Sequence, residues 1–253
     1  MSDENLAFQG VEKVVGQKTY DRMTSKILLV VGLGGVGSWA VESLARSGFR
    51  KLVLMDLDDI CVSNTNRQIH TLQSTVGKSK VEVLKERVLA INPACEVEAV
   101  ADFLQKDNVK EYLEKYRPDM ILDAIDSLGV KCALAATARE MKIPLLVSGS
   151  AGGKLLASEL KVSDLATTYE DDLLHQMRKR LRQKHGFPRG KRKFKITCVF
   201  SAESKSVCEV PKGESSGRLD CQTGLGSLCH VTASMGMLLT QQVILHFMKE
   251  LEE

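Results

Sequence analysis

Gly32, Gly34 and Gly37 follow the apolar run Ile27-Leu-Leu-Val-Val31 with the G-x-G-x-x-G spacing. That spacing turns a chain tightly and lets backbone N–H groups approach a phosphate at a helix N-terminus. Gly35 lies in the same loop. The next apolar run, Lys51 to Met55, ends in Asp56, a position from which a carboxylate can accept hydrogen bonds from ribose hydroxyls. So far the residues describe a nucleotide site, and a nicotinamide dehydrogenase carries the same two signals. The following residues shift the balance. After Asp56 come Asp58, Asp59 and Ser63-Asn-Thr-Asn-Arg-Gln-Ile-His70, a polar segment with an arginine that hydride transfer does not need. An ATP α-phosphate attacked by a carboxylate gathers charge on its oxygens, and cations held there stabilise the transition state more than the ground state. Arg67 and Lys80 are those cations, and with Asp126 they form the expected catalytic set. Asp126 follows the apolar run from Met120 to Ile125, at the edge of a parallel sheet where ligands bind. A carboxylate there repels phosphate unless a cation lies between them, which implies Mg²⁺ on Asp126.

Other residues admit two readings each. Asn64 and Gln68 either face the nucleotide or satisfy backbone groups in an irregular loop. Asp58 is either a nucleotide-side carboxylate or a turn residue. Cys221 is either a nucleophile that traps an acyl-adenylate as a thioester or a buried, inert thiol. No paired CxxC is present, so a zinc knuckle is not expected.

The elements that must position these residues alternate in type. Strand-like runs at 27–31, 51–55, 96–100, 120–125 and 145–148 are separated by helix-like segments near 37–47, 78–91, 107–116 and 127–141. This is the rhythm of βαβ crossovers. Glu159 to Val162 and Ile196 to Ser201 read as strands that continue the sheet or pair antiparallel. Between them Thr168 and Asp171 suggest a capping box for a charged helix over 169–184 with the apolar stripe Leu173, Leu174, Met177 and Leu181. The expected fold is therefore α/β and Rossmann-like. Its doubly wound, mainly parallel sheet is extended by antiparallel strands, with a helical insert and a C-terminal helix. One domain spans 1–253: a leader (1–26), a nucleotide-binding half (27–150), and a substrate and dimer lobe (151–253) carrying a basic insert at 170–195.

Composition sets outer bounds. With 253 residues, 43% of them hydrophobic, the chain can bury a substantial core, and its net charge of +3 is too small to specify a partner. Seven scattered cysteines and no charged-then-apolar leader fit a reducing, cytoplasmic compartment. Cys221 to Met248 carries no Asp, Glu, Lys or Arg, but Thr, Ser, Gln and His interrupt it too often for a membrane span. A helix packed in a core or dimer interface is expected, with peripheral membrane attachment as the alternative.

GLGGVG, the stretch MDLDDICVSNTNRQIH, VGKSK ending in Lys80, and DAIDS around Asp126 together resemble the ubiquitin-activating-enzyme-like (ThiF-type) adenylyltransferases. Within that superfamily SNTNRQIH at 63–70, ITCVFSAE at 196–203 and RLDCQTGLG at 218–226 are similar to the tRNA threonylcarbamoyladenosine dehydratases. The resemblance covers nearly the whole chain. It implies Asp56 on the ribose, Asn64, Arg67 and Lys80 at the triphosphate, and Asp126 on Mg²⁺. It also implies ATP-dependent adenylation of the carboxylate of N6-threonylcarbamoyladenosine at position 37 of tRNA, then ring closure with loss of AMP. The alternative activity is adenylation of the C-terminus of a ubiquitin-like sulfur carrier. Implied partners are tRNA, a second copy of the chain, and helper proteins of the cysteine-desulfurase or sulfur-acceptor type. In such a dimer a leader arginine reaches the partner's ATP site, and the leader cations here are Lys13, Lys18 and Arg22. From Arg178 to Lys195 ten cations occur without one acid and continue past Pro188, beyond the reach of helix-dipole compensation. Arg189, Lys191, Arg192 and Lys193 are expected on the tRNA backbone, where neutralised phosphates release counterions.

Overall fold

A computed structural model describes residues 3–190, 192–204 and 226–250. The first strand, β1 (Ile27–Val31), is apolar throughout because it is covered on both sides. Leu28 and Val30 face one core cluster and Leu29 and Val31 the other. The remaining strands are β2 (Lys51–Met55), β3 (Glu96–Val100), β4 (Met120–Asp123), β5 (Leu145–Ser148), β6 (Leu160–Asp164) and β7 (Thr197–Ser201). They form a single seven-stranded sheet in the order β3-β2-β1-β4-β5-β7-β6. All neighbours are parallel except β6 and β7. The antiparallel extension is thus one edge strand, and β7 joins β5 in parallel. The strand order reverses direction between β1 and β4, which opens a crevice at the carboxyl ends of those strands.

Helices cover both faces. On one lie α3 (Gly37–Arg46), α4 (Lys80–Ile91) and α8 (Cys229–Lys249), with α2 (Gln17–Thr24) and α1 (Asp3–Val15) beside them. On the other lie α5 (Val109–Tyr116), α6 (Leu128–Glu140) and α7 (Asp172–Lys184). The stretch read as a leader therefore contains two helices that belong to the core. Tyr20 and Met23 are buried, and Arg22 Nε donates to Glu250 at 3.0 Å.

The charged helix begins at Asp172, later than its sequence suggests. Asp171 caps it by accepting from Leu174 N at 2.9 Å. The capping box does not form. The Thr168 hydroxyl turns away to donate to Leu165 O and accepts from Arg178. Leu174, Met177 and Leu181 dock into the core as the stripe predicts.

The helix α8 is long and apolar enough to cross a membrane by length and composition alone. Its apolar side is occupied by the protein. Val231, Met235, Leu239, Val243 and Phe247 are buried, and Thr240 Oγ1 donates to Ala40 O at 3.3 Å. Gly236 lets α8 come this close to α3: a Cβ there would stand 2.6 Å from Val36 O and 2.7 Å from Ala40 N.

Candidate functional site

The crevice at the switch point is a cavity of about 670 Å³. Its wall gathers residues from the ends of five strands: Gly32, Gly34 and Gly35 after β1, Asp56 and Asp58 after β2, Asp102 to Leu104 after β3, Asp126 after β4, and Ser148 to Gly152 after β5. Asn64, Arg67, Gln68 and Lys80 complete it.

The glycine loop has a steric reason for each glycine that matters. Gly32 takes φ +86°, where a side chain is strained, and a Cβ would sit 2.8 Å from Ala124 O. A Cβ on Gly37 would stand 1.8 Å from Gly32 O. Gly37 is not in the cavity wall; it opens α3 and lets that helix start against the loop. Gly35 is confined by Thr232 of α8, 3.1 Å from where its Cβ would be. The C-terminal helix thus forms part of the glycine loop's backing, which sequence spacing cannot reveal.

The carboxylate of Asp56 is fixed on both oxygens. Oδ2 accepts from Leu33 N at 2.6 Å and Oδ1 from Asp58 N at 2.9 Å. One side chain thereby ties the end of β2 to the glycine loop. Lys80 is buried at the start of α4; its Nζ donates to Asp58 Oδ2 at 2.6 Å and lies 3.8 Å from Asp56 Oδ1. Asp58 is therefore the partner of the site's lysine, a third role beyond the two that its position suggested. Asn64 is buried, and its Oδ1 accepts from Cys61 N at 3.0 Å. This matches the backbone-satisfying reading, with Asn64 still in the cavity wall. Gln68 is buried in the same wall, and its Oε1 has no hydrogen-bond partner among the described residues.

Arg67 is partly exposed. Its Nη1 donates to Ser63 O at 2.8 Å and to Asn66 Oδ1 at 2.9 Å. Nε and Nη2 make no hydrogen bond among the described residues. Asp126 is exposed in the cavity wall and has no hydrogen bond or ion pair among the described residues.

Beneath the Asp126 loop lies a group that sequence reasoning missed. Asp123 and Lys131 are both fully buried and paired at 2.8 Å, with Lys131 Nζ also donating to Ile125 O at 2.8 Å. Burial pushes the Asp123 carboxyl up, and the lysine ammonium opposes that shift. The pair straps the loop after β4 to α6, so the backbone leading into Asp126 is held from below. Asp171 does the same for the loop after β5, accepting from Ser150 N at 2.7 Å while it caps α7. The DAID and capping patterns held the signal for both, but neither shows that the carboxylate turns inward. His70 was also missed. It is buried, and burial, then the charge on Lys80, push its pKa down to about 4. It is a neutral imidazole behind the glycine loop.

Cys221 and Lys191 lie outside the described residues. Arg189, Arg192 and Lys193 are exposed. Two other members of the basic run point inward: Arg178 Nη1 donates to Leu165 O and Thr168 O, and Arg182 to Pro188 O and Gly190 O. Part of that charge is structural.

Residues 5–252 match the ThiF family. The chain is 41% identical over 245 residues to a tRNA threonylcarbamoyladenosine dehydratase of Escherichia coli (strain K12), covering 91% of this chain and 89% of that one. It is 38% identical to the enzyme of that name from Haemophilus influenzae, covering 96% and 94%. A crystal structure of the E. coli tRNA N6-threonylcarbamoyladenosine dehydratase in complex with ATP superposes with a TM-score of 0.88 at 38% identity, covering 98% of this chain and 96% of that one. Cavity, sheet order and sequence agree, and the chain belongs to the ThiF family, among its tRNA threonylcarbamoyladenosine dehydratases.

Proposed function

We propose that the protein uses ATP to adenylate the carboxylate of N6-threonylcarbamoyladenosine at position 37 of tRNA and closes the side chain into a ring. One observation carries this reading. A single cavity joins a glycine cradle, a fixed carboxylate, two cations and a carboxylate with no partner among the described residues at the sheet's switch point. The substrate carboxylate oxygen attacks the α-phosphorus, the bond to the bridging oxygen breaks, and pyrophosphate leaves. The carbamoyl group of the same side chain then attacks the acyl carbon, and AMP departs with the carboxylate oxygen. The net change in the nucleoside is loss of one water.

Each side chain has a part in this reading. The amides of the glycine loop and the amino end of α3 face the phosphates. Asp56, already oriented by Leu33 and Asp58, offers its remaining lone pairs to the ribose. Arg67, with Nε and Nη2 unused, receives charge that develops on the α-phosphate during transfer. Lys80, held by Asp58 and near Asp56, adds positive charge to the nucleotide side of the cavity. Asp126 suits Mg²⁺, which takes one or two carboxylates together with phosphate oxygens and waters. When bound there, the ion supplies charge neutralisation for the triphosphate. The reading also takes the protein to act in the cytoplasm as a homodimer.

Nucleoside mass analysis tests this directly. Unmodified-ring tRNA treated with the protein and ATP should lose the mass of one water from its threonylcarbamoyladenosine, with AMP and pyrophosphate formed in equal amounts. Pyrophosphate release driven by a Gly-Gly-tailed protein, with tRNA unchanged, would overturn it in favour of sulfur-carrier activation.

A further inference from the structure

Two cations converge on one point beside Gly129, outside the cavity wall but on segments that contribute to it. Gly129 stands in the first turn of α6, shortly after Asp126. A Cβ built on it would meet Lys106 Cε at 2.8 Å, Lys106 Nζ at 3.4 Å and Arg180 Nη1 at 3.8 Å. Lys106 comes from the turn before α5, just past the cavity-lining Asp102, Phe103 and Leu104. Arg180 comes from α7, whose Leu173 also lines the cavity. Neither cation has a hydrogen bond or ion pair among the described residues. Arg178 and Arg182, which flank Arg180 on α7, instead donate hydrogen bonds to backbone carbonyls. Two like charges gathered round one point repel, and an anion between them turns that repulsion into attraction. The missing side chain at Gly129 lets the Lys106 stem pack directly over the α6 backbone and brings its ammonium toward Arg180.

We infer that Lys106 and Arg180, over the backbone of Gly129, form a clamp for a phosphodiester of the tRNA strand beside the nucleotide being modified. This rests on the proposed function. The recognised chemistry is a phosphate oxygen, and its two sources are RNA backbone and the triphosphate of ATP. Placement favours RNA. The glycine loop feeds α3 on one face of the sheet, whereas the clamp is built from the α5, α6 and α7 face. That second face also carries the stretch after α7 with the exposed Arg189, Arg192 and Lys193. Lys193 stands by Met120, Pro144 and Leu145 at the amino ends of β4 and β5, so that stretch is a separate cationic surface at the opposite edge of the sheet from the cavity.

The test is a Lys106→Gln/Arg180→Gln variant with an unchanged melting temperature. Its tRNA Kd should rise about tenfold, and the slope of log K against log salt should flatten by about one, the share of a single phosphate contact. ATP affinity, and turnover of the free modified nucleoside, which has no phosphates, should stay at wild-type values. A weaker ATP affinity with tRNA binding intact would assign the phosphate to ATP and overturn the clamp. Unchanged tRNA affinity and salt slope would overturn it as well. If wild-type protein binds tRNA but leaves its nucleosides unaltered, the proposed function fails, while the binding curves still decide the clamp.

Discussion

Asp126 is a carboxylate without a hydrogen-bond or ion-pair partner among the described residues, in a cavity otherwise suited to phosphate, and replacing it with Asn removes the charge while keeping size. Asp126→Asn should cut ATP–pyrophosphate exchange by about 100-fold or more with the thermal midpoint unchanged. Near-normal exchange would exclude a metal at this position. Arg67→Ala should lower kcat by about 100-fold, well beyond any rise in the KM for ATP, because its free nitrogens meet charge that grows in the transition state. A raised KM with unchanged kcat would make it a ground-state ligand. His70 gives a pH dependence. Its folded pKa of about 4 lies below the ordinary 6.5, so the unfolded chain binds the extra proton first. Stability is therefore lost as pH falls from 6.5 toward 4. Denaturant midpoints across that window should decline, and His70→Gln should make the decline shallower; an identical slope would remove His70 as its source.

At the scale of elements, the contact of α8 with α3 is set by Gly236. Alanine there gains about 1 kcal/mol of helix propensity, yet its Cβ would press on Val36 O and Ala40 N inside 2.8 Å. Backbone cannot yield as a flexible side chain does, so Gly236→Ala should lower Tm by several degrees and weaken ATP binding through Thr232 and Gly35. A raised Tm with unchanged ATP affinity would show that the helices separate freely. Much of the fold was legible in the sequence. The strands at 27–31, 51–55 and 145–148 have the bounds their apolar runs suggest, because each run is buried on the sheet, and the strand at 96–100 has its expected bounds as a largely exposed edge strand. The two helices before β1 were not legible. Their exposed residues dominate the composition, and only tertiary contact shows that Phe8, Tyr20 and Met23 are core. For the site, the glycine loop, Asp56, Arg67 and Lys80 follow one another within the two consecutive βαβ units from β1 to β3, so spacing could pick them out. Thr232, Ser150 and the buried Asp123–Lys131 pair could not, because they meet the site through the sheet order or from beneath it.

For the molecule as a whole, the two faces of the sheet differ in what they carry. The glycine loop opens onto α3 on one, while the stretch after α7 packs on the other with its cations exposed. Changing Arg189, Arg192 and Lys193 together to Glu should weaken tRNA binding at least tenfold and flatten its salt dependence, leaving ATP binding intact. Unaltered tRNA affinity across a salt titration would return these residues to ordinary surface. The seating of α8 against the glycine loop also has a bearing on biosynthesis. Thr240 meets Ala40 across 200 residues of sequence, so the loop made first on the ribosome is backed by a helix made far later. A growing polypeptide therefore exposes its glycine turn without the wall that shapes it. Contacts this distant are slow to form. Nascent chains paused before residue 229 should consequently fail to retain ATP, and nucleotide capture would mark the completion of translation through α8.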